Sequence, residues 1–253
     1  GRLFFVYMSR INYSKPPLTY EQQIKLLKDR GLIITDETKA LHLLENISYY
    51  RLSAYWYPML ANPKSAHNFK PNSTFERSFN LYCFDREFRR LIAAEIEKIE
   101  ISIKAKMIYV LSNRSGPFWF LNDNLFIKKK HLNKSLAKLK REKSRSDEEF
   151  IRSFSKRYSN PFPPSWMILE ISSFGNLSSL YQNLKPGKSK RIISNYYGLD
   201  DTTFESWLHS LTYVRNVCAH HSRLWNKRMS IQPIIPKNPK ADFLEIHSLP
   251  NPN

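Results

Sequence analysis

The sequence predicts an all-α protein, an up-and-down helical bundle preceded by an N-terminal helical extension. Three observations carry that reading. Only six glycines occur in 253 residues and alternating Val/Ile/Thr runs are few, which argues against an all-β or Rossmann-type chain. Phe84, Phe88, Ile92, Ile96, Ile99, Ile103, Met107 and Val110 recur every three or four residues, one face of a long helix. Helix start and stop signals punctuate most of the rest.

In chain order, "SRINYSKPPLTY" reads as an extended arm ending at a cap. Thr19 with Gln22 three positions on forms a capping box for "YEQQIKLLKDRG", and Gly31 stops that helix. Asp36 caps a second helix expected to run through "ETKALHLLENISYYRLSAYWYPML" to about Pro58. Within it the aromatics of "SYYRLSAYWY" read as core in preference to a base-stacking platform. "ANPKSAHNFKPNST" is a loop, and the long helix follows from about Phe75 to Leu111, on the order of 50 Å. The segment 128–145, "KKKHLNKSLAKLKREKSR", holds nine Lys/Arg against one Glu, with a thin apolar stripe of Leu132, Leu136 and Leu139. After "SNPFPP", Ser165 is the expected N-cap of an apolar helix through "WMILEISSFGNLSSLYQNL". Glu170 within it calls for a partner: Arg215 or a histidine across the bundle, or a structural salt bridge. A short helix is expected around Ile192–Tyr197. Thr202 and Glu205 form a capping box for the last strong helix, expected to reach about Arg228. The domains implied are an arm and extension over 1–74, a bundle over 75–230 with a basic helical insertion around 128–145, and an irregular tail over 231–253.

The charge is the strongest functional signal in the composition. Forty Lys and Arg face 22 Asp and Glu, a net charge of +18. Such an excess is the footprint of a polyanion, RNA or DNA before an anionic membrane. The apolar run "LFFVYM" at 3–8 is far shorter than the ~20 residues a spanning helix needs, and it lacks a signal-peptide cleavage pattern. Cys83 and Cys218 form no disulfide framework, which fits a reducing cytoplasm.

The chemistry concentrates in "YVRNVCAHHSRLWN", residues 213–226. On an ideal helix Trp207, Leu211, Val214, Cys218, His221 and Trp225 form a packing seam. His220 is turned by about 100° from it, with Asn216 one turn before. Zinc helices favour His at i and i+4, a spacing that adjacent His220 and His221 lack, and no Cys/His/Asp cluster completes a ligand set. No Gly-rich elbow surrounds a serine nucleophile. Metal-free RNA cleavage fits better. The RNA 2′-OH is an internal nucleophile, a histidine can move its proton, and an arginine suits charge developing on phosphate oxygens.

The stretch "RNVCAH" matches R-N-x3-H, a form of the R-x(4–6)-H motif of the HEPN superfamily of helical ribonucleases. The whole helix "ESWLHSLTYVRNVCAHHSRLWN" resembles the signature of the Abi-like (abortive-infection) proteins. In order along the chain, "KPPLTYEQQIKLLKDRGLII", "NISYYRLSAYWYP", "LYCFDREFRRLIAAEIEKIEISIKAKMIY", "GPFWF" and "SNPFPPSWMILEISSFGNLSSLY" resemble the same family, roughly from Lys15 to Arg228. The resemblance implies a HEPN-type bundle acting in phage defence or as a toxin. It implies a metal-independent endoribonuclease, without cofactor, that leaves 2′,3′-cyclic phosphate ends. Two motif helices facing one another build the family's centre, so one motif per chain implies a homodimer. Arg215 and His220 carry over as the catalytic pair, Asn216 as the polar residue after the arginine, and His221 as support or alternative base. A small structured noncoding RNA, antitoxin or guide, is a further implied partner.

The expected RNA contacts are Lys128, Lys129, Lys130, Lys134, Lys138, Lys140 and Arg141 of the basic helix, Lys188, Lys190 and Arg191 of the "KPGKSKR" region, and Arg223. Two other readings stand beside the nuclease: an RNA-binding protein that grips without cutting, and an interaction protein whose polar helix face is a dimer interface.

Overall fold

A computed structural model describes residues 12–236; the apolar run at 3–8 and positions 237–253 of the expected tail lie outside the described residues. The architecture is an all-α bundle. The helices are α1 (Tyr20–Asp29), α2 (Glu37–Ile47), α3 (Tyr49–Trp56), α4 (Phe75–Ser115), α5 (Lys129–Arg145), α6 (Glu149–Arg157), α7 (Ser165–Ile168), α8 (Phe174–Asn183), α9 (Lys188–Tyr196) and α10 (Asp201–Ala219). Among the described residues there is no strand, only the isolated bridges Ile33–Thr74, Leu60–Phe69 and Phe126–Leu184.

The chain divides into two compact units, residues 1–86 and 87–253, and α4 runs through the boundary. In the first unit α1 begins on the expected box: Thr19 Oγ1 accepts from Gln22 N at 3.3 Å and Gln22 Oε1 from Thr19 N at 2.9 Å. It ends at Gly31, φ +88°. Asp36 caps α2, accepting from Lys39 N at 2.8 Å. The single helix expected from there to about Pro58 is two. Ser48 adopts φ 77°, and its hydroxyl accepts from Arg51 N, so one side chain ends α2 and caps α3. Leu52, Tyr55 and Trp56 of α3 are buried, as the core reading of that aromatic stretch requires, while Tyr50 and Tyr57 are exposed.

In the second unit the α4 stripe is buried at Ile96, Ile103, Met107 and Val110, whereas Phe84, in the first unit, is exposed. At 41 residues α4 is about 60 Å long. Ile96 to Val110 pack with Leu132 and Leu139 of α5, Leu177, Leu180 and Tyr181 of α8, Ile193 of α9, and Phe204 and Leu208 of α10. The helix expected from Ser165 is likewise two, with Pro164 at its N-cap in place of Ser165. Between α7 and α8 the amide of Ser173 donates to Glu142 Oε1 at 3.2 Å, taking that backbone group out of a helical ladder. The small amphipathic α6, burying Ile151 and Phe154, has no counterpart in the sequence reading, and α9 begins at Lys188, ahead of the expected Ile192.

Two helices flank α8 and run antiparallel to it. The start of α5 meets the end of α8, where Asn183 clamps Lys128: Oδ1 accepts from Lys128 N at 2.9 Å and Nδ2 donates to Lys128 O at 3.0 Å. Midway, Asn176 Nδ2 donates to Ser135 O at 3.3 Å, and at the far end Glu142 receives Ser173. On the other side Tyr181 of α8 packs edge-on against Phe204 of α10, centroids 4.9 Å apart.

α10 starts two residues earlier than the Thr202–Glu205 box requires. Asp200 is the N-cap, accepting from Thr203 N at 2.9 Å and Thr203 Oγ1 at 2.6 Å. The Thr203 hydroxyl and amide hold the Asp200 carboxyl below its ordinary value of 3.8. Because the folded value is depressed, the cap contributes fully above about pH 4 and its contribution fades as pH falls through the lowered value. Asp200→Ala is expected to cost about 1 kcal/mol near neutral pH. Urea unfolding should show that deficit shrinking as pH falls below about 4.

Candidate functional site

The arginine, asparagine and two histidines meet where α10 ends. His220 is the C-cap and its amide donates to Asn216 O at 3.0 Å. His221 then turns left-handed, φ 54°, with His221 N donating to Cys218 O and Ser222 N to Val217 O, each at 3.0 Å. Those two bonds are the Schellman closure, which the commonest solution places on glycine. The same closure ends α1, with Gly31 and Leu32 donating to Lys28 O and Leu27 O.

The helix therefore stops nine residues short of the expected Arg228, and the packing seam must be corrected. It holds from Leu211 to Cys218, which is buried beside Val217, while at the start of the helix the buried side chains are Phe204 and Leu208 and Trp207 is half-buried. His221 is exposed and off the seam, because a left-handed residue resets the direction of the chain. Leu224, and not Trp225, supplies the buried side chain that follows, in a small cluster with Val217, Cys218, Phe88 and Ile92.

Arg215 leans on a carboxylate that sequence reasoning missed. Its Nε lies 3.9 Å from Glu100 Oε2 of α4, and Glu100 Oε1 lies 3.4 Å from Lys104 Nζ one turn on. Glu100 is only 13% exposed and Arg215 43%, so the carboxylate is held in and the guanidinium reaches out. The contact with Glu100 is made at Nε, beside the terminal fork with which arginine grips two phosphate oxygens. Lys104 also donates to the carbonyl of Glu170 at 3.2 Å. The Glu170 side chain is exposed and makes no ion pair among the described residues, so it is partner neither to Arg215 nor to a histidine. The available signal for Glu100 was its i, i+4 spacing to Lys104 beside the buried stripe at Ile99 and Ile103. Asn216 and His220 are both exposed, one helical turn apart. Among the described residues no group of three His, Cys, Asp or Glu converges as metal ligands.

The basic helix lies on the surface as expected. Lys128, Lys130, Lys134, Lys138, Lys140 and Arg141 are exposed, and Lys129 is exposed but paired with Asp123. Lys188 and Arg191 are exposed and Arg223 is half-buried.

Lys190 must be removed from the nucleic-acid contacts. It is 3% exposed, and its ammonium is taken up by Leu184 O at 2.7 Å, Gln182 O at 3.3 Å and the Glu205 carboxylate, beside the Tyr181 ring. It lies on the inward face of α9 with Ile193, while Lys188 and Arg191 point outward.

Fold and site define a helical bundle whose last helix ends in an Arg–Asn–His strip, with a basic helix elsewhere on its surface. Residues 42–226, from α2 to the turn after α10, match the model of the Abi-like protein family, and the chain belongs to that family. The membership connects it with abortive infection, a form of defence against phage. No curated protein and no solved structure matches the chain. Among the described residues no helix is long and apolar enough to cross a membrane.

Two stability measurements check these placements. Lys190→Met should lower stability by about 2–3 kcal/mol, because two carbonyls and Glu205 lose their partner. Lys188→Met and Arg191→Met should stay within about 0.5 kcal/mol of wild type. His221→Gly should raise stability by about 0.5–1 kcal/mol, since glycine adopts the left-handed conformation without a Cβ penalty. A drop in its urea midpoint would contradict the assigned closure.

Proposed function

We propose that this Abi-like protein is a metal-independent endoribonuclease of the HEPN type, acting in phage defence or as the toxin of a toxin–antitoxin pair. One observation supports the reading above others: R-N-x3-H lies at the exposed end of α10, with Arg215 paired to Glu100 of α4 and its side chain still 43% exposed. In the reaction the RNA 2′-oxygen attacks the adjacent phosphorus as His220 removes its proton. The O2′–P bond forms, the O5′–P bond breaks, and the departing 5′-oxygen is protonated by a second acid. Arg215 stabilises the added negative charge on the phosphate oxygens. The products are a 2′,3′-cyclic phosphate and a 5′-hydroxyl. One histidine cannot be base and acid at opposite sides of phosphorus in the same step. That requirement supports a homodimer in which the partner's strip completes the centre, with Asn216 orienting RNA and His221 at its margin. The lysines exposed on α5, with Lys188, Arg191 and Arg223, hold the RNA backbone.

The net charge of +18 also favours a second reading, in which the protein holds a small structured noncoding RNA without cutting it. The test compares wild type with Arg215→Ala and His220→Ala on purified RNA in EDTA. Each substitution should slow cleavage by about 10²–10⁴-fold, with the His220→Ala protein keeping its RNA affinity. Wild-type protein that binds RNA of one defined size and never cuts it supports the second reading and overturns the first.

A further inference from the structure

We propose that the cleft between α5 and α8 is a nucleotide-sized phosphate site that anchors bound RNA away from the Arg215–His220 centre. It rests on the RNA reading above for the identity of the anion, and not on cleavage. His131, Lys134 and Lys138 project into the cleft from one face of α5, and Lys128 adds a fourth basic group at its mouth. This face lies about a quarter turn from the buried Leu132 and Leu139.

The cleft is built, and is not a gap between loose helices. Its mouth is fixed by the two-way clamp of Asn183 on the Lys128 backbone, and its length by the contacts of Asn176 with Ser135 and Glu142 with Ser173. On the far wall Gln182 spends one amide N–H on Ser178 Oγ at 3.3 Å, leaving the other for a ligand. The one acid in the lining, Glu205 of α10, is already neutralised by buried Lys190. The misassigned lysine thus has a place in the site after all: it cancels the only charge there that would repel a phosphate. What remains is a concave, uncompensated positive surface. The cavity holds about 510 Å³, room for a whole nucleotide where a flat basic track would offer only charge.

The site is separate from the proposed centre. Glu205 and His220 lie fifteen residues apart on α10, about 22 Å along its axis. A stacked strand rises about 3.4 Å per nucleotide, so RNA must extend over roughly six nucleotides to reach both within one protomer.

The experiment uses the full chain with His220→Ala and a twelve-nucleotide RNA labelled at its 3′ end, at fixed salt. Lys134→Glu/Lys138→Glu changes the cleft; Lys130→Glu/Lys140→Glu changes equally exposed lysines of the same helix that do not line it. Both pairs alter the net charge by the same amount, so a diffuse field predicts equal losses. The site predicts a loss at least about tenfold larger for the first pair than for the second, which weakens only backbone attraction outside the cleft. Equal losses, or none, overturn the proposal. Thermal melts of both variants confirm that the fold is intact. Comparing RNA with a 5′-phosphate and a 5′-hydroxyl assigns the bound group to a chain end or to an internal diester. Binding of adenosine monophosphate in the cleft, with RNA insensitive to both pairs, overturns the anchoring role. RNA bound with the expected asymmetry, but not cut by wild type, removes the nuclease reading and leaves the cleft standing. RNA cut by wild type, with both pairs equally weakened, removes the cleft alone.

Discussion

The last third of the bundle depends on one buried ammonium. Lys190 reaches inward from α9 to the carbonyls of Gln182 and Leu184 at the end of α8 and to Glu205 of α10. The end of a helix leaves carbonyls without partners, and a buried cation there satisfies them while drawing in the carboxylate that offsets its own charge. Three helices are joined at one atom. An ammonium this deep is stable only with such partners, and each partner in turn is placed by the helix it ends or begins. The positions of Phe204 and Leu208 against Tyr181, and so the course of α10 toward Arg215, follow from that junction.

A second polar contact ties the Arg–Asn–His strip to the spine of its unit. Glu100 is nearly covered, and on one side it has Lys104 of its own helix, on the other Arg215 of α10. The arrangement ties the arginine of the strip to a carboxylate held inside the bundle. At 3.9 Å the Arg215 pair is a loose one, and its worth lies in orientation more than in stability.

Where local chemistry decides, the sequence was legible. The Thr19 box, the Asp36 cap, the Gly31 stop and the buried stripe from Ile96 to Val110 appear where their residue types put them. Legibility failed where an ordinary residue does a specialist's work. Ser48 and Ser173 break helices whose apolar pattern runs on unbroken, each through one hydrogen bond that propensity cannot show. His221 closes α10 with the same bonds that Gly31 uses on α1, and with no glycine as a signal the sequence pattern predicts a longer helix. Lys190 sits in a run of cations that reads as surface, and only the tertiary position of Glu205 reveals it as core. Of the strip itself, Arg215, Asn216 and His220 could be read from their spacing, while the spacing of Glu100 to Lys104 marks a helix pair and says nothing of Arg215, distant in the chain.

The anchors between α5 and α8 have a consequence for how charge is presented. Lys128, Ser135 and Glu142 recur at intervals of seven, two helical turns, so all three lie along one line of α5. A helix pinned along a line can neither slip by a turn nor roll about its axis without losing every pin. Its cations are thereby fixed in azimuth and in pitch, which turns a strongly charged segment from a cloud into a graduated scale.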